Sequence, residues 1–250
     1  MARILVPLPD TDFDTTEVAV PWKLLREQGH EVTFATERGG RAPACDPLLL
    51  TGVVFGALGA ADEPKRFYSE LTTDAAFTKP VPWAEQDPQR WDGLLLPGGH
   101  APGMKQYLGS NTLQRFVAAF WSTKKPVAAI CHGVLVLARS RVREGGESVL
   151  ADARTTCLPK YMERSAYLST FWRVGRYYRT YPAYVEDEVR AALRHAEGQF
   201  ERGPRVLMAR GTRGDDANTF VVEDGPYVSA RWPGDAYAFT RAFAKRLPGA

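Results

Sequence analysis

The chain has 250 residues, of which 44% are hydrophobic, 24% charged and 11% aromatic. That ordinary globular balance excludes collagen-like, mucin-like and wholly disordered classes. The formal net charge of +3 is small and its basic residues are scattered, so composition does not point to nucleic acid.

Arg3–Pro7 is a short apolar run ended by proline and reads as a buried first strand. Thr15 and Thr16 can cap a helix from about Glu17 to Gln28, whose Val18, Trp22 and Leu25 recur at helical spacing. His30 then reads as a C-terminal capping residue, and Glu31–Thr36 as a second strand turned by Gly39-Gly40. From Ala42 to Trp91 six prolines blur the pattern, with one short helix suggested by Phe67, Tyr68 and Leu71. This stretch is too long for a bare loop and is expected to be an inserted, partly helical segment.

Gly93–Pro97 is a continuous apolar strand followed by the turn Gly98-Gly99-His100. Leu113–Thr123 reads as an amphipathic helix and Val127–Ile130 as another buried strand. The latter runs straight into Cys131-His132-Gly133, and a helix begins at Val134. Further on, Thr155–Leu158, Val206–Met208, Phe220–Val222 and Tyr227–Ala230 are expected to be strands. Val185–Ala196 and Asp235–Leu247 are expected to be helices. Alternating strands and helices predict an α/β fold, a doubly wound and mostly parallel sheet of flavodoxin-like type. No Ser/Gly-rich linker divides it, so one domain over residues 1–250 is expected, with the insertion at about 42–91.

Cysteine usage narrows the chemistry. Cys45, Cys131 and Cys157 cannot all pair, so a disulfide framework is not expected and a reducing cytoplasm is the expected compartment. No apolar run reaches the ~18 residues of a membrane span, and the first one is too short for an export signal. Cys131 stands between a buried strand and a helix. A side chain at such a turn projects from the carboxyl end of the strand, the geometry of a nucleophile elbow. Gly133 fits because the tight turn leaves no room for a Cβ. The positive end of the following helix favours a thiolate, and free backbone N–H groups can hold an oxyanion. Gly98 and Gly99 let a neighbouring turn aim its N–H groups at the same place.

Leu94-Leu95-Leu96-Pro97-Gly98-Gly99-His100, followed some thirty residues later by Ala129-Ile130-Cys131-His132-Gly133, resembles the DJ-one/PfpI superfamily, a branch of the class I glutamine amidotransferase-like fold. Glu17, in Asp14-Thr15-Thr16-Glu17-Val18, resembles the family glutamate that faces the cysteine. The ending Val228-Ser229-Ala230-Arg231-Trp232-Pro233-Gly234-Asp235 is also similar. Length and insertion look closest to the glyoxalase III-like holding-chaperone branch. That resemblance implies a Cys-His-acid triad whose acid falls at Glu163, with Asp152 as the fallback. It also implies a homodimer, no cofactor and a small reactive carbonyl as substrate.

The implied activity is conversion of a 2-oxoaldehyde to a 2-hydroxy acid. Cys131 would be the nucleophile, His132 and Glu17 the proton carriers, and Gly98, Gly99 and His132 the oxyanion hole. A related cysteine hydrolase or amidase, and a redox-sensing stress protein or chaperone, are the alternatives. His195-Ala196-Glu197 superficially matches the His-x-Glu pattern of true glutamine amidotransferases, but it lies among Arg190 and Arg194 and reads as a solvated helix face. The aromatic and arginine cluster from Tyr167 to Tyr181 reads as an interface or a pocket wall more readily than as a nucleic-acid surface.

Overall fold

A computed structural model describes residues 1–249. The strands β1 (Arg3–Pro7), β2 (Glu31–Thr36), β3 (Val81–Pro82), β4 (Gly93–Leu96), β5 (Val127–Ile130), β6 (Val221–Asp224) and β7 (Tyr227–Ala230) form one sheet. Their spatial order is β3-β2-β1-β4-β5-β7-β6. All neighbours are parallel except the last pair, where β6 runs antiparallel to β7. Every residue of β4, β5 and β7 is buried, as expected for parallel strands covered on both faces by helices.

The principal covering helices are α1 (Thr15–Glu27), α2 (Asp62–Leu71), α3 (Asn111–Ser122), α4 (Val134–Arg139), α5 (Lys160–Val174), α6 (Val185–Ala191) and α7 (Ala236–Ala244). The doubly wound α/β architecture read from the sequence is therefore present.

Several local expectations change. Asp14, not Thr15 or Thr16, caps α1, its Oδ1 accepting from the N–H groups of Thr16 and Glu17 at 2.8 and 3.1 Å. His30 caps the end of α1 through its backbone, its N–H donating to the Leu25 carbonyl at 3.0 Å, while its Nδ1 accepts from the Ala2 N–H at 3.2 Å. The 42–91 segment contributes α2 and the edge strand β3, so part of it extends the sheet rather than merely covering it. Thr155–Leu158 is not a strand. Both sides of β7 are already paired, by β5 and β6, so this buried segment is held instead by a single parallel bridge and by side chains. In the bridge the Thr155 N–H donates to the Gln199 carbonyl at 2.8 Å and the Glu201 N–H to the Thr155 carbonyl at 2.9 Å. The Thr155 and Tyr227 hydroxyls lie 2.8 Å apart, and the Thr156 N–H donates to Ser229 Oγ at 3.0 Å. Val206–Met208 is likewise irregular, with Leu207 and Met208 exposed. The helix α5 escaped the sequence reading because it has no apolar stripe: only Glu163 and Thr170 are buried along it.

One buried carboxyl ties the insertion to the pH dependence of stability. Asp46 caps a short helix through Oδ1, while its buried Oδ2 has no partner. Burial pushes the Asp46 carboxyl up from 3.8 to about 7. The folded chain thus prefers the protonated form. The contribution is full below about pH 4 and is lost as pH rises through about 7. Asp46→Asn keeps the Oδ1 acceptor without the charge. It is expected to match the parent at about pH 4 and exceed it by roughly 1–2 kcal/mol at pH 8 in urea titrations. An equal difference at both pH values would disprove this.

Candidate active site

Cys131 follows the last residue of β5 and has φ of +58°, in the left-handed region that non-glycine residues rarely adopt. Cys131–Gly133 make one turn of 3₁₀-helix before α4 begins. This is the strand–turn–helix elbow. Its closeness is measured by the glycines. A Cβ on Gly133 would lie 2.1 Å from the Leu96 carbonyl oxygen, and one on Gly98 would lie 2.6 Å from the His132 nitrogen. The β4 turn and the elbow therefore touch through backbone, which no larger residue permits.

Glu17 reaches the same point from the first turn of α1. Its Oε2 accepts from the Gly98 N–H at 2.7 Å, and its carboxyl faces the Cys131 sulfur. Oε1 is buried with no nitrogen or oxygen partner. Burial, reinforced by Asp14, drives the Glu17 carboxyl well above the usual carboxylate range, so it is held neutral. Burial also pushes the Cys131 thiol up, with Glu17 and Asp14 adding to it and the His132 N–H opposing. This corrects the expectation of a helix-stabilised thiolate. A six-residue helix offers little dipole, and Cys131 is 1% exposed, so desolvation wins.

His132 Nδ1 lies 3.4 Å from Cys131 Sγ. Adjacent side chains at the elbow therefore do meet. Burial, with His100 and Arg139 nearby, holds His132 well below its ordinary value, so the ring is neutral. It packs edge-on against His100 at 4.8 Å and tilted against Tyr181 at 5.7 Å.

Glu163 does not complete a triad with His132 in this structure. It is buried, but Oε1 accepts from Arg179 at 3.2 Å and Oε2 from the Val185 N–H at 3.1 Å. Among the described residues no hydrogen bond joins it to His132. Burial raises its carboxyl to about 6 despite those donors. Its placement on α5, a helix the sequence did not reveal, lets it tie that helix to α6. The fallback Asp152 is exposed and pairs with Arg194. The oxyanion assignment also changes in part. The Gly98 N–H is occupied by Glu17, whereas the Gly99 N–H has no protein acceptor among the described residues.

Sequence reasoning passed over Asp14, His100 and Arg210. All three line a cavity of about 360 Å³ that also includes Thr16, Tyr178 and Trp232. Asp14 is raised to about 6 by burial, and burial lowers His100 to about 4. The only advance signal was position: Asp14 precedes Glu17 by three residues, and His100 follows the glycine turn. Arg210 carried no signal, because it sits in the irregular 204–219 stretch. That stretch is fixed by Arg231, fully buried and forked onto Asp235 at 2.9 Å, which also donates to the Pro204 carbonyl.

The aromatic cluster divides. Tyr178 and Tyr181 are buried beside the histidines, whereas Phe171 and Trp172 are exposed. Cys45 and Cys157 are both buried, and burial raises both thiols. His195 lies exposed just beyond α6. No described helix is long and apolar enough to cross a membrane.

Comparison with known proteins matches residues 8–204 to the family described as ThiJ/PfpI family-like. A deglycase of Pyrococcus abyssi is 26% identical over 245 residues, 98% of this chain and 99% of that protein. An uncharacterized protein of Schizosaccharomyces pombe is 31% identical over 173 residues, 66% of this chain and 62% of that protein. The fold of glyoxalase III from Candida albicans superposes with a TM-score of 0.70 at 18% identity, covering 100% of this chain and 98% of that one. With an elbow cysteine, a facing glutamate and a family match over most of its length, the chain belongs to the ThiJ/PfpI-like family of the DJ-one/PfpI superfamily.

Proposed function

We propose that this chain is a cysteine enzyme that converts a 2-oxoaldehyde and water to a 2-hydroxy acid. The observation that carries this reading is the buried trio: Cys131 at a strained elbow, neutral His132 with Nδ1 3.4 Å from the sulfur, and neutral Glu17 facing it. The relative in Pyrococcus abyssi is a deglycase, and the fold neighbour in Candida albicans is a glyoxalase III; both names point to reactive carbonyls.

The steps balance without an external oxidant. The sulfur of Cys131 bonds to the aldehyde carbon as its proton passes to His132 Nδ1, and Glu17 protonates the aldehyde oxygen to give a hemithioacetal. The Glu17 carboxylate so formed removes the hydrogen on that carbon, while His132 protonates the neighbouring ketone oxygen. The enediol then takes a proton from Glu17 at the second carbon and loses its first hydroxyl proton to His132. What remains is the thioester of a 2-hydroxy acid, which water cleaves to free acid and thiol. The N–H groups of Gly99 and His132 hold the oxygen that becomes negative.

Methylglyoxal mixed with the protein is expected to give lactate well beyond one equivalent. Consumption that stops at one equivalent would instead mean trapping by the thiol. Glu17→Gln keeps an acceptor for the Gly98 N–H but cannot carry protons. It is expected to lose about 10²–10⁴-fold in kcat/KM with an unchanged melting temperature. Full turnover in that variant would remove Glu17 from the chemistry.

A further inference from the structure

Resting on this reading of the site, we infer that the cavity beside it receives an alkyl tail, so that a longer-chain 2-oxoaldehyde is preferred over a three-carbon one. None of the trio lines the cavity, but residues of its wall adjoin the trio. Asp14 and Thr16 line it from the same turn of α1 that carries Glu17. His100 lines it too and meets the His132 ring at 4.8 Å. A three-carbon dicarbonyl has five non-hydrogen atoms and fills on the order of 100 Å³. The cavity measures about 360 Å³, within the range of about 300–1,000 Å³ that holds far larger ligands.

Its walls have the chemistry of a tail site. Leu49, Leu158, Met162, Ala166, Val206 and Met208 line it. They come from four separate parts of the chain: the insertion, the 155–158 segment, α5 and the 204–219 stretch. Met208 is 57% exposed, although water contact with so much apolar surface is unfavourable. The polar lining at the α1 end and the largely apolar walls beyond it, interrupted by Ser165 and Ser169 on α5, together match a molecule with a carbonyl head and a hydrocarbon tail. Methionines suit such a site because their unbranched side chains adapt to chains of varying length.

Binding of product-type ligands tests this without reading turnover. Lactate, 2-hydroxyhexanoate and 2-hydroxyoctanoate are titrated calorimetrically into the intact protein. Each buried methylene is worth about a fourfold change in affinity. The Kd is therefore expected to fall at least about tenfold from 2-hydroxyhexanoate to 2-hydroxyoctanoate, and lactate to bind weakest. Ala166→Phe and, one turn on, Ser169→Phe fill the cavity from a half-exposed helix face and are expected to cut that ratio below about threefold. Equal Kd values along the series, or a ratio unchanged in both variants, would overturn the tail site. A protein that binds longer chains more tightly yet turns over no 2-oxoaldehyde keeps the tail site and loses the proposed reaction. Turnover of methylglyoxal with flat binding does the reverse.

Discussion

Cys131→Ser is expected to reduce 2-oxoaldehyde turnover by at least about a thousandfold while changing stability by less than about 1 kcal/mol. A serine hydroxyl is a far weaker acid than a thiol, so it needs a stronger base to become a nucleophile. The neighbouring base is His132, and burial holds that imidazole well below its ordinary basicity. Neutral Glu17 cannot help, because its carboxyl already carries a proton. The fold, by contrast, loses little, since oxygen replaces sulfur at a position whose strained backbone is set by its neighbours. Lactate formation from methylglyoxal, followed alongside thermal melting, separates the two effects. Activity above a tenth of the parent's would show that another group performs the attack.

The second large effect is structural. Gly133→Ala puts a methyl group 2.1 Å from the Leu96 carbonyl oxygen and 2.7 Å from that of Pro97. Both are backbone atoms at the end of β4, so no rotamer change relieves the clash. The elbow must move away from the Gly98-Gly99 turn, and the Glu17 contact to the Gly98 N–H goes with it. A loss of about 3 kcal/mol or more is expected in urea denaturation. Gly198→Ala is the matched control. Its Cβ meets nothing within 4 Å and its φ is not positive, so it is expected to stay within about 0.5 kcal/mol of the parent. Similar values for the two variants would mean that the elbow tolerates a Cβ.

Local chemistry was enough to read the centre of the fold. β1, β4 and β5 are short apolar runs and β2 alternates, and the punctuation by Pro97, Gly98 and Gly133 identified the turns. The elbow was legible because the backbone requirement and the reactive residue are adjacent in sequence. Glu17 was legible by resemblance, since its distance from Cys131 is bridged only by the fold.

What tertiary structure decided are quantities that depend on neighbours far along the chain. The protonation state of Cys131 is one: the helix argument favoured a thiolate, but enclosure by Glu17, Asp14 and the sheet makes desolvation the larger influence. The partner of Glu163 is another. The resemblance placed it as the acid of the triad, whereas α5 turns it toward Arg179 and the Val185 N–H. The Thr155–Leu158 segment has the composition of a strand, yet β7 had no free edge to offer it. The cavity beside His100 is assembled from the insertion, α1, α5 and the 204–219 stretch. No window of sequence contains it, because shape arises from which surfaces meet, and periodicity reports only which face of each element is apolar.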